Sequence, residues 1–72
     1  MVTIDSVWFE GINIFVKMSN GKVVKTPIQS YPNLRKGTIE QRNNYEIKGE
    51  GRWVHWDELD EDLSADGFLQ IQ

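Results

Sequence analysis

Seventy-two residues with eight Lys and Arg, eleven Asp and Glu and no cysteine make a single domain, 1–72, of a size where the hydrophobic gain barely exceeds the entropy cost of folding. The lack of cysteine excludes a disulfide framework and a thiolate zinc site, and no apolar run approaches the roughly 20 residues that span a bilayer. The N-terminus MVTIDSVW has neither the basic segment nor the apolar stretch of a signal peptide, so the expectation is a cytoplasmic protein without a membrane partner.

The net charge of −3 is unevenly distributed. All eight bases lie in residues 1–52 beside five acids, whereas residues 53–72 carry six acids and no base. Such blocks mark an interaction surface, unless the two halves neutralise each other on folding.

In chain order, residues 2–9 (VTIDSVWF), 12–18 (INIFVKM) and 22–28 (KVVKTPI) are rich in β-branched and aromatic side chains and are punctuated by Glu10-Gly11 and Ser19-Asn20-Gly21. They read as a three-stranded antiparallel meander. Ile12, Ile14, Val16 and Met18 share one parity and predict a buried face, with Phe15 on the outer one. Asn20-Gly21 supplies a tight hairpin turn between the second and third strands. Pro27 and Pro32 then interrupt the sheet. Thr38-Ile39-Glu40-Gln41 has the spacing of a capping box and predicts a short helix from Ile39 to Asn44. Tyr45-Glu46-Ile47 and Trp53-Val54-His55-Trp56 read as short strands around the Lys48-Gly49-Glu50-Gly51 turn. Trp56, Leu59 and Leu63 follow at helical spacing, and Ser64 is placed to cap a last helical turn carrying Phe68 and Leu69. The fold class is therefore α+β: a small antiparallel sheet, later short strands, and short helices after Thr38 and Ser64.

The stretch GRWVHWDELDEDLS, residues 51–64, concentrates the only histidine, two of three tryptophans and five acids. Asp62-x-Ser64-x-Asp66-Gly67 satisfies the first half of a calcium loop, but the bidentate glutamate would fall beyond Gln72. One imidazole and no thiolate make a poor transition-metal set; His55 is better suited to holding a backbone carbonyl or the carboxylate of Asp60 or Asp62. Ser64, His55 and Asp60 spell a nucleophilic relay without any accompanying strained turn or oxyanion motif. Gly49-Glu50-Gly51 lacks the third glycine and the lysine of a phosphate loop. Nucleic-acid binding finds support in the bases of the first three-quarters of the chain, but the acidic block and a pI of about 4.9 oppose it. The acids around the helix starts interact favourably with the dipole, and five of them exceed that need.

Tyr31-Pro32-x-Leu34, Thr38-x-Glu40-Gln41-Arg42, Asn44-Tyr45-x-Ile47-x-Gly49-x-Gly51, Val54-His55-Trp56 and Leu59-Asp60-Glu61-Asp62-Leu63-Ser64-x-x-Gly67 closely resemble the bacterial family called domain of unknown function 2442. Ser19-Asn20-Gly21 is similar to that family's first hairpin turn, so the resemblance covers nearly the whole chain. Departures are Asn33 at a usual arginine, Ile39 and Asp57 at usual prolines, and Trp53 at a usual glycine. The resemblance implies a small α+β domain with an antiparallel sheet and no established activity. It also implies, for many members, a genomic pairing with another small uncharacterised protein reminiscent of toxin–antitoxin modules, and for some a fused helix-turn-helix.

The function expected is a non-enzymatic, cytoplasmic interaction domain without cofactor, an antitoxin-like or regulatory partner of a small basic protein encoded beside it. The expected contact surface is Trp53, His55, Trp56, Asp57, Glu58, Asp60, Glu61 and Asp62. The alternatives are a small-ligand or metal-binding domain centred on His55, Asp60 and Asp62, and a weak nucleic-acid binder using the basic hairpin.

Overall fold

The computed structural model describes residues 1–71 and contains two three-stranded antiparallel sheets joined by short helices. The first sheet is the expected meander, in the order β1 (Ile4–Glu10), β2 (Asn13–Met18) and β3 (Val23–Pro27). Gly11, at φ 56°, opens the two-residue turn between β1 and β2. In the second hairpin only Gly21 takes positive φ, 88°, while the Asn20 side chain accepts from the Lys22 amide at 3.0 Å.

Alternation along β2 buries Ile14, Val16 and Met18 completely, as a strand with one covered face requires. Ile12 departs from the expected buried row: it is 77% exposed because it completes the turn and precedes the first paired residue, Asn13. On the outer face Phe15 stacks on its cross-strand partner Trp8, with ring centroids 5.6 Å apart and planes 8° from parallel. Trp8 also donates its indole N–H to Glu10 at 2.8 Å.

After β3, a 3-10 turn at Ile28–Ser30 leads to α1 (Pro32–Arg35), with Pro32 in the first turn where its missing amide costs nothing. This one-turn helix, read from sequence only as a pause, buries Leu34. Helix α2 (Ile39–Asn43) starts with the expected capping box: Thr38 accepts from the Gln41 amide at 3.0 Å and Gln41 accepts from the Thr38 amide at 3.0 Å. The Arg42 guanidinium donates to the Leu34 and Arg35 carbonyls at 2.7 and 3.0 Å, tying α2 to the end of α1, where the Leu34 carbonyl also accepts from the Gly37 amide at 3.1 Å.

The second sheet comprises β4 (Glu46–Lys48), β5 (Trp53–Trp56) and β6 (Glu61–Ser64), followed by α3 (Ala65–Leu69). Strand β6 corrects the helical reading of Trp56, Leu59 and Leu63. The chain turns through Asp57–Asp60, with Asp60 at φ 51°, and Leu63 comes back opposite Val54. Pairing with β5 thus overrides the low strand propensity of this acidic run. Ser64 ends β6 and caps α3, accepting from the Gly67 amide at 3.0 Å.

Both sheets contribute to one core. Val54 and Trp56 of β5, Phe68 of α3 and Leu34 of α1 are buried with the inner face of the first sheet. The Ile4 amide donates to the Gly51 carbonyl at 2.7 Å, tying β1 to the β4–β5 turn. Tyr45 donates its hydroxyl to the Val7 carbonyl at 2.7 Å, fastening the start of β4 to the edge of β1.

Candidate interaction face of the second sheet

Register assigns the side chains of the second sheet to its two faces. Glu46, His55 and Asp62 stand opposite one another in one row, and Lys48, Trp53 and Ser64 in the next row on the same side. The intervening row, Ile47, Val54 and Leu63, points the other way, with Val54 fully buried. The solvent face of β5 therefore presents Trp53 beside His55, and Trp53 remains 47% exposed.

His55 is held from both ring nitrogens. Nδ1 lies 2.5 Å from an Asp62 carboxylate oxygen and Nε2 lies 3.4 Å from Asp57. The bond to Asp62, and after it the one to Asp57, raises the imidazole above its ordinary value of 6.5, against a lowering by partial desolvation and by Lys48. Both nitrogens can donate to these carboxylates only in the imidazolium form, which the arrangement therefore favours.

The eight residues expected to form the contact surface are not all together. Trp53, His55 and Asp62 share the outer face, and Asp57 joins them from the following turn. Trp56 does not: it is fully buried, its indole N–H donates to the Arg42 carbonyl at 2.8 Å, and Tyr45 and Phe9 pack on its ring. The odd parity that exposes Trp53 and His55 turns Trp56 into the core. Glu58 accepts from the Gln41 side chain at 3.1 Å, linking the acidic turn to the capping box of α2. Asp60 occupies the left-handed position of the turn, and its carbonyl accepts from Asn33 at 3.2 Å. Glu61 stands opposite Trp56 and accepts from the Asp62 amide through its side chain.

The sequence pattern held no sign of Glu46 as a member of this face, since its place depends on the pairing of β4 with β5. Nor did it show that Asp57, and not Asp60, would be the second carboxylate at His55. Asp60 is not one of the carboxylates bonded to His55, and among the described residues no group of three or more His, Cys, Asp or Glu is placed to hold a metal ion. The ion pairs among the described residues are the two at His55, and no Lys or Arg of the basic first part pairs with the acidic turn among them.

The family model described as Protein of unknown function (DUF2442) matches residues 4–71. The fold is similar to the crystal structure of a protein of unknown function from Rhodospirillum rubrum, with a TM-score of 0.82 and 25% identity over 97% of this chain and 87% of that one. It is also similar to the solution NMR structure of an uncharacterised protein from Chromobacterium violaceum, with a TM-score of 0.78 and 27% identity over 94% of this chain; the match spans only 64% of that longer chain. No curated protein matches the sequence.

Proposed function

The chain belongs to the DUF2442 family, and from that premise we propose that it is a protein-interaction domain whose partner is a small basic protein, bound on the outer face of β4–β6. The observation that carries the reading is the half-exposed Trp53 beside an acid-flanked His55. Tryptophan is enriched among residues that dominate binding energy, and a surrounding acidic rim steers a basic partner into register. Asp57, with 88% of its side chain exposed, and Glu58 at the exposed turn supply that rim.

The reading assigns this face no reaction. His55 is directed at carboxylates from both nitrogens, and the Ser64 hydroxyl serves the start of α3. A regulatory or antitoxin-like role in the cytoplasm fits a domain of this kind, with the product of the adjacent reading frame as the first candidate partner. The test is co-expression with that product and capture at low and high salt. Trp53→Ser should abolish capture, and Asp57→Asn with Glu58→Gln should weaken it mainly at low salt. Capture that is indifferent to all three changes would reject the face.

A further inference from the structure

Beside the free edge of β6 lies a cleft of about 250 Å³ walled by Tyr31, Trp53, Leu63 and Phe68, with Asp62 and Ser64 as its polar side chains. Its chemistry is unlike that of the acidic turn. Tyr31, Trp53 and Leu63 offer apolar or aromatic surface over the buried Phe68, and the carboxylate of Asp62, 59% exposed on its side chain, lies at the rim with its negative charge shared with the His55 imidazole. Asp62 gives one oxygen to His55 at 2.5 Å, and its exposure leaves acceptor capacity toward solvent.

A cation with a flat apolar face suits such a cleft better than a neutral or anionic group. Guanidinium is weakly hydrated, stacks on indole and phenol rings, and donates to a carboxylate in the same plane. Ammonium is more strongly hydrated and lacks the flat face. We propose that this cleft is the seat of one arginine side chain from the basic partner, stacked against Trp53 and paired with Asp62. The proposal rests on the interaction reading above and specifies the group that the face recognises.

The test uses N-acetyl-arginine amide as probe, with N-acetyl-citrulline amide as its neutral isostere, followed through the Trp53 indole N–H resonance of the whole chain. The arginine derivative should shift that resonance saturably and citrulline should not. Asp62→Asn should weaken the response about tenfold, as loss of a partly desolvated cation partner implies. Because Asp62→Asn also removes a partner of His55, a second variant, Trp53→Leu, is read through the Asp62 and Gly67 amides, where the arginine-induced shifts should be lost. An equal response to citrulline, or saturable shifts that bypass Trp53 and Asp62, would overturn the assignment. Partner capture that is lost in Trp53→Ser, together with equal responses to the arginine and citrulline probes, would remove the cleft assignment and leave the interaction reading standing; a Trp53 response to arginine without capture of the neighbouring gene product would do the reverse.

Discussion

At His55 a single imidazole couples the charge of the outer face to folding. Its raised folded-state value means that the stabilisation from Asp62 and Asp57 is fully present below the unfolded value near 6.5 and is lost as pH rises through the folded value. The melting temperature should therefore fall as pH rises from about 6.5 through the folded value, and His55→Asn or Asp62→Asn should flatten that decline. A melting temperature that rises over the same interval in the unaltered protein would contradict the sign. Deprotonation also leaves Asp62 with its full negative charge unshared, so an arginine side chain should bind the neighbouring cleft more tightly at the upper end of this range. The charged groups facing His55 in that balance are Asp62, Asp57, Lys48 and its row partner Glu46.

Asp60 acts through its backbone. At φ 51° it holds a conformation that costs an ordinary side chain about 1 kcal/mol and that glycine adopts freely. Aspartate tolerates this region better than alanine. Asp60→Ala should lower stability by about 1 kcal/mol, while Asp60→Gly should be near neutral. Thermal melts of the pair decide it, and equal losses for both would place the contribution of Asp60 in its carboxylate instead.

Among the elements, the β4–β5 turn is the most demanding. Gly51 lies at φ 91°, and a Cβ there would meet Thr3 Cβ at 2.8 Å and the Ile4 carbonyl oxygen at 3.1 Å, at the point where β1 is tied to the turn. Gly21 has a similar φ of 88° with nothing within 4 Å of the same atom. Gly21→Ala should cost about 1 kcal/mol for conformation alone, and Gly51→Ala about 2–4 kcal/mol because overlap with backbone is added. Denaturant titrations should separate the two, and equal costs would mean that the close approach to β1 contributes nothing.

The same elements show what could be read without coordinates. The first sheet and the α2 cap were legible because their signals are local: period-two apolarity, Gly21 in the turn, and Thr38 with Gln41 at the right separation. The outward Phe15 was legible for the same reason. Ile12 was not, because its parity matches the buried row while the turn geometry removes it from the strand. Strand β6 was hidden because Trp56, Leu59 and Leu63 mimic a helix, and only pairing with β5 distinguishes the two. Within the candidate site, Asp62 was one of three acceptors offered for His55, beside Asp60 and a backbone carbonyl, and the register of β5 with β6 selects it. The inward turn of Trp56 and the arrival of Glu46 depended on register that no local motif encodes.

For the whole molecule, the two sheets share one core and leave two outer faces of different chemistry. The first sheet shows the stacked Trp8 and Phe15 with Lys25 in the same row; the second shows Trp53 with His55 and its carboxylates. Away from both, Ile12 and Ile39 are each about three-quarters exposed and line two clefts that have Gly11, Ile28 and Arg42 in common. A basic partner should choose among these by charge, because only the second sheet joins an exposed aromatic to an acidic turn. The most direct test is an amide and indole chemical-shift map recorded on adding the product of the adjacent reading frame. The account predicts shifts at Trp53, at His55 and Asp62, and through Asp57–Asp60, with the Trp8 indole unmoved. Shifts centred on Trp8 and Phe15, or on Ile12 and Ile39, with Trp53 unchanged, would contradict it.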